Sequence, residues 1–290
     1  MLKLREIEYN LVVQAVREAS LKAAFELPAD VHDALERARR VETHPRARRI
    51  LDQLLENARL AAAERIPICQ DTGLVVVFVE QGAEVWVVPP KDNPRATLAD
   101  AINEGIAAAY EEGFLRKSVV AEPLGKRVNT TTNTPAIIHY EILAGDGLRI
   151  SLMAKGGGCE NKSQFRMFNP TASEEEVKNW IVDVVKSAGP NACPPFVVGV
   201  GMGGNFEQSC LLSKKALLRD IGSSHILPFY DRLENDLLEA VNAAGLGPQG
   251  LGGKTTALAV LIEIAPCHIA SLPVAVNIEC HAHRHAHLTL

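Results

Sequence analysis

Apolar residues recur at helical spacing near the start of the chain. Ile7, Leu11, Val12, Ala15 and Val16 fall on one stripe with charges between them, and the pattern predicts helix from Leu4 to about Ala63. Leu27-Pro28 breaks that stretch, a charged segment runs to Arg40, and a further helix covers Arg46 to Glu64. Beyond it the period changes to that of strands. Leu74 to Glu80 and Glu84 to Val88 are β-branched runs separated by Gln81-Gly82-Ala83, and Pro89 to Pro94 is a loop. Ala96 to Glu112 reads as helix. Ala136 to Leu143 and Leu148 to Ala154 predict a hairpin around Gly145-Asp146-Gly147. Ser173 to Ala188 is a helix with Ser173 as N-cap and Glu176 at the capping-box position. A strand over Phe196 to Val200, a glycine-rich turn over Gly199 to Gly204, and helices over Glu207 to Leu218 and Asp231 to Ala244 follow. Strands at Ala257 to Ile264 and Pro273 to Ile278 close the series. This alternation predicts an α/β fold: mixed β-sheets flanked by helices, with the site formed by loops at element ends. We expect one domain over 1–290, its helical portion covering about 1–65.

Composition narrows the classes of function. With 290 residues the chain has ample core and needs no disulfide or metal merely to fold. A net charge of −5 and few aromatics give no basic stripe for nucleic acid, although a few local cations still suit a small anion. No run reaches the length of a membrane span, and no secretory segment precedes the cysteines, so a cytoplasmic protein with reduced thiols is expected.

The chemistry-bearing stretches are loops. Pro67-Ile68-Cys69-Gln70-Asp71-Thr72-Gly73 places a thiol, an amide, a carboxylate and a hydroxyl in four consecutive residues between Pro and Gly. Asn129 to Pro135 is rich in side-chain donors. Lys155-Gly156-Gly157-Gly158-Cys159-Glu160-Asn161-Lys162 suits an anion, because glycines let backbone amides approach a ligand; the alternative is a flexible turn. Gly253-Lys254-Thr255 departs from a nucleotide phosphate loop, since that motif needs a glycine at 248, where Pro248 stands; a nucleotide-binding protein built on it is the less expected alternative. His281, His283, His285 and His287 alternate and would share one face of an extended chain; a metal face and a frayed or partner-covered end are the two readings, of which the second is expected. Of the six cysteines no two form C-x-x-C. Cys69, Cys193 and Cys280 lie in loops at element ends, Cys210 occupies a helix face as a packed thiol, and Cys159 and Cys267 stay ambiguous. Thiolates from separate loops are able to converge on an iron-sulfur cluster.

Five of these segments, in order, carry a resemblance: Pro67 to Gly73, Lys155 to Gly158 with Asn161-Lys162, Ala192-Cys193-Pro194-Pro195, Gly252-Gly253-Lys254, and Ser271-Leu272-Pro273-Val274 to Cys280. The chain resembles the class I fumarate hydratase and L-tartrate dehydratase family over nearly its whole length. The resemblance implies a [4Fe-4S] cluster held by Cys69, Cys193 and Cys280, with one iron open to substrate. It implies that Gln70 contacts a small dicarboxylate, Asp71 acts as acid toward the departing hydroxyl, Arg116 holds a carboxylate and His268 lies at the substrate. It further implies anion contacts from Lys155, Gly158 and Lys254. The activity implied is reversible hydration of fumarate to malate, with L-tartrate dehydration as the alternative and an iron-sulfur sensor as a reading of another class. Cys159, where single-chain members usually have serine, is expected near the site without being a ligand. His281-Ala282-His283-Arg284 replaces the family's Ser-Ala-Asp-Arg. Single-chain members continue into a second domain carrying the proposed base, so this chain is similar to the α subunit of a hetero-oligomer with a β subunit as partner.

Overall fold

The structure, a computed structural model, describes residues 4–290. In chain order the elements are β1 (Arg5–Glu8), α1 (Tyr9–Phe25), α2 (Ala29–Val41), α3 (Pro45–Glu64), β2 (Leu74–Gly82), β3 (Val85–Val88) and α4 (Leu98–Glu112). Then follow β4 (Ile137–Leu143), β5 (Leu148–Lys155), α5 (Gly157–Glu160), β6 (Gln164–Phe168), α6 (Glu174–Ala188), β7 (Phe196–Gly204) and α7 (Phe206–Ala216). The last are α8 (Pro228–Ala243), β8 (Ala257–Cys267), β9 (Leu272–Glu279) and β10 (His285–Thr289). The fold is α/β with mixed sheets. It divides into two compact units, one of residues 4–28, 60–155 and 284–290, the other of residues 29–59 and 156–283.

In the first unit a four-stranded sheet runs in the order β10-β5-β2-β4. Alternate residues Val75, Val77 and Val79 of β2 and Leu148, Ile150 and Leu152 of β5 face one core with α1 and α4. The predicted hairpin between β4 and β5 does not form. β2 lies between them, parallel to β4 and antiparallel to β5, because it is apolar on both faces and takes the covered central place. The described residues do not open as helix either: β1, whose one buried residue is Ile7, pairs in parallel with β3. Thr97 caps α4 through a reciprocal bond pair with Asp100.

The histidine tail is no frayed end. His285 to Thr289 pairs antiparallel with β5, placing His285 opposite Met153 and Thr289 opposite Arg149. Only His285 and His287 share a strand face, their rings 5.6 Å apart. His283 lies ahead of the strand, buried, with Nε2 2.7 Å from the Leu217 carbonyl.

In the second unit the sheet order is β6-β9-β7-β8, with β7 parallel to β8 and β9 antiparallel to both β7 and β6. The expected glycine-rich turn at Gly199 to Gly204 belongs to β7 itself. A Cβ at Gly199 would meet Ser213 O at 2.0 Å and one at Gly201 would meet Ser209 O at 2.0 Å, so the glycines let α7 lie directly on the strand. The edge strand β8 is closed by side chains. Glu234 accepts the Ile262 N–H at 2.7 Å while Arg219 donates to the Ile262 carbonyl at 2.9 Å and pairs with Glu234 at 2.5 Å.

Candidate functional site

Within the first unit the Cys69 loop is held from elements remote in sequence. Ile68 N–H donates to Ala24 O at 3.0 Å, which ties the loop to the end of α1. The Thr72 hydroxyl donates to the Arg116 carbonyl at 2.7 Å, so the loop and the predicted carboxylate-holding arginine are fastened together. The Arg116 side chain itself is exposed. Tyr110, buried in α4, donates toward the carbonyls of Thr72 at 2.6 Å and Gly73 at 3.1 Å. Burial pushes its phenol well above the ordinary value, outweighing the nearby Arg284 charge, which keeps the hydroxyl a donor. Asn133 supplies a third brace, donating to Gly73 O at 3.0 Å while its carbonyl accepts from Ser118 N at 2.7 Å and Val119 N at 3.2 Å.

Gly73 explains why the loop closes where it does. Its φ is +83° and a Cβ there would stand 2.8 Å from the Ala154 carbonyl carbon, so the turn into β2 excludes a side chain. Asp71 caps this turn, its Oδ1 accepting the Gly73 N–H at 3.1 Å. Cys69 is half-buried and its thiol lies 3.5 Å from Gln70 Oε1; Gln70 is exposed. The first unit therefore gathers Cys69, Gln70, Asp71 and Arg116.

Arg284 completes the bracing. It is 2% exposed, Nη1 donates to Asp71 O at 2.5 Å, and its Nε has no hydrogen-bond partner among the described residues. In the sequence Arg284 ends the tetrapeptide that follows Cys280, and this arginine is shared with the Ser-Ala-Asp-Arg that the tetrapeptide replaces, which is the signal available there. Lys155, the end of β5, is 2% exposed in the same unit.

In the second unit two predicted cysteines are linked through His281. Cys193 leaves a single 3-10 turn, Pro190–Ala192, in a left-handed conformation (φ 56°, ψ 64°) and leads through Pro194-Pro195 into β7. Cys280 follows the end of β9. His281, its neighbour, reaches the Cys193 carbonyl with Nδ1 at 3.0 Å and its backbone N–H at 3.4 Å. Gln249 steadies the same turn, donating to Pro194 O from its backbone at 2.8 Å and from Nε2 at 3.0 Å. Cys159, in α5, donates to Ala192 O at 3.3 Å. No disulfide joins any of the six cysteines. Burial pushes the Cys210 thiol up, in keeping with a packed, unreactive group.

The remaining predicted positions of this unit lie on other elements. His268 is exposed in the turn after β8, with Nδ1 accepting the Ala270 N–H at 3.1 Å. Gly158 is exposed in α5. Lys254 is fastened to the protein: its backbone N–H donates to Glu42 Oε2 at 2.7 Å and its Nζ to Val41 O at 3.2 Å. The glycine-rich loop before it thus receives a buried carboxylate. Burial pushes the Glu42 carboxyl up, but the N–H groups of His44, Lys254 and Thr43 and the Lys254 charge outweigh it, and the group lies below the usual range.

The sequence profile of the fumarate hydratase (Fumerase) family matches residues 13–289. The chain belongs to the fumarate hydratase family. This family member is 39% identical over 281 residues to the putative L(+)-tartrate dehydratase subunit alpha of Methanocaldococcus jannaschii, covering 96% of this chain and 95% of that one. It is 32% identical over 288 residues to the L(+)-tartrate dehydratase subunit alpha of Escherichia coli strain K12, covering 97% and 93%. Membership makes it a hydro-lyase of the class I type. None of its described helices is long and apolar enough to cross a membrane.

Proposed function

We propose that this chain is the α subunit of a cytoplasmic hetero-oligomer that hydrates fumarate to malate reversibly, with a [4Fe-4S] cluster held by Cys69, Cys193 and Cys280. The donor set fits the group. No disulfide ties up any of the three, Cys69 and Cys193 are partly exposed, and His281, next in sequence to Cys280, bonds the Cys193 carbonyl. Bound there by three thiolates, the cluster supplies a Lewis acid for the hydroxyl and one carboxylate of a 2-hydroxy dicarboxylate.

The chain's own groups supply the substrate contacts and the acid. Arg116 offers a planar fork to a carboxylate, and Gln70 orients the substrate beside it. Asp71 gives its proton to the departing oxygen as the C–O bond breaks, so the leaving group departs as water. The proton of the adjacent carbon goes to a base on the β subunit, and its electron pair becomes the new C=C bond. His268, Lys155, Gly158 and Lys254 complete the anion contacts in this reading. The observation that carries it is the Thr72–Arg116 bond, which ties the acid-bearing loop to the carboxylate-holding arginine.

A second reading, L-tartrate as substrate, is favoured by the names of the relatives above. Co-expression with the partner subunit and assay of kcat/KM on fumarate, malate and L-tartrate decides between them. The fumarate reading expects the higher kcat/KM on fumarate and malate. Robust turnover by the α chain alone, or none on any of the three by the complex, contradicts the proposal.

A further inference from the structure

Cys159, Glu279 and Cys280 form a group of their own in the second unit. The two thiol sulfurs and one carboxylate oxygen all lie within 4.8 Å of one another. All three residues are buried, with exposures of 4%, 1% and 7%. Adjacent residues of a strand point to opposite faces, so Glu279 and Cys280 reach one place only because β9 stops at Glu279. There Glu279 Oε1 accepts the Cys280 N–H at 3.1 Å, which fixes the carboxylate beside the thiol. The third member arrives on α5, whose single turn is closed by Glu160 N–H donating to Gly156 O at 3.0 Å and by the Cys159–Ala192 contact at 3.3 Å.

We propose that Cys159, Glu279 and Cys280 bind one thiophilic divalent metal ion, of the Zn²⁺ or Fe²⁺ kind, when the chain holds no cluster. Two soft sulfurs and one carboxylate oxygen match that class of ion, whereas Mg²⁺ and Ca²⁺ take oxygen-rich sets. Three protein ligands leave one coordination position for water. Each thiol releases its proton to solvent as its metal–sulfur bond forms, and the ion offsets most of the negative charge gathered in a buried place. The site shares Cys280 with the cluster proposed above, so mononuclear metal and cluster exclude each other there. Whether the chain takes up a cluster at all is a separate question from whether this ion binds.

The test uses the full chain, reduced, cluster-free and anaerobic, titrated with Co²⁺ as a spectroscopic stand-in for Zn²⁺. One equivalent of Co²⁺ gives a near-ultraviolet thiolate-to-metal band and the visible bands of a tetrahedral ion. Cys159→Ser and Glu279→Gln each weaken Co²⁺ binding at least about tenfold, while Cys210→Ser and Cys193→Ser leave the titration unchanged. Cys159→Ala serves where the serine variant does not fold. Iron and sulfide reconstitution of Cys159→Ser still yields the cluster, and prior Zn²⁺ lowers iron uptake by the native chain but not by Cys159→Ser. A cobalt band that survives Cys159→Ser, or one lost with Cys193→Ser and kept with Cys280→Ser, overturns the proposal. Failure of the cluster with an intact cobalt titration overturns only the reading of the preceding section.

Discussion

The Cys69 loop and the Cys193 turn present thiols by opposite means. The first is braced by side chains from far along the chain: Tyr110, Asn133 and Arg284 all bond to its backbone carbonyls. The second is set mainly by its own backbone, a 3-10 turn leaving Cys193 left-handed at a cost on the order of 1 kcal/mol, with Gln249 and His281 clasping it. A loop braced from outside transmits damage at remote positions to its reactive groups. A turn fixed mainly by local geometry does so less.

The largest effect expected is at the acid. Asp71→Asn keeps the Asx-type bond to Gly73 N–H through its amide oxygen but has no proton of the right acidity to give. The assembled enzyme then loses about 10²–10⁴-fold in kcat, with cluster content unchanged. Next is the remote brace. Arg284→Ala frees the Asp71 carbonyl and lowers kcat by about 10²-fold through misplacement of the loop. Arg284→Lys, able to donate one bond to the same carbonyl, recovers part of that loss, and iron content per chain stays constant in both. A brace with no role in aiming the loop would show neither the loss nor the lysine rescue.

Smaller effects test stability. Tyr110→Phe removes a donor shared by two carbonyls and destabilises the chain by about 1 kcal/mol in denaturant unfolding, since Asn133 still serves Gly73 O. Glu42 offers a contrast away from both thiol loops. Its carboxyl lies below the usual range, so its contribution is present above the unfolded value and is lost as pH falls through the folded one. Glu42→Gln therefore costs about 1–3 kcal/mol at neutral pH. The gap between variant and native protein closes on acidification, as unfolding at a series of pH values will show.

What could be read from sequence followed local rules. Ser173 caps α6 as its spacing demanded, with Ser173 Oγ accepting the Glu176 N–H at 3.1 Å, and the helices of the first sixty residues fall near their expected bounds. Pairing choices were not local. β4 and β5 carry hairpin chemistry at Gly145-Asp146-Gly147, yet the more apolar β2 takes the place between them. The glycines at 199 and 201 signalled a turn but answer to α7, a partner in packing that no short window reveals. The candidate site divided the same way. Its motif residues were visible as a dense set of reactive groups, and Asn133 lay in a loop already marked by its excess of donors. Nothing in its helix marks Tyr110, because only the fold brings its hydroxyl to the Cys69 loop.

The measurement that bears most directly on the central claim is iron and sulfide content of the full chain after anaerobic reconstitution, compared across single cysteine variants. About four irons per chain are expected for the native protein, and the same for Cys210→Ser and Cys159→Ser, with loss for Cys69→Ser, Cys193→Ser and Cys280→Ser. Retention of the cluster in Cys280→Ser together with its loss in Cys159→Ser would contradict the assignment of ligands and, with it, the proposed centre.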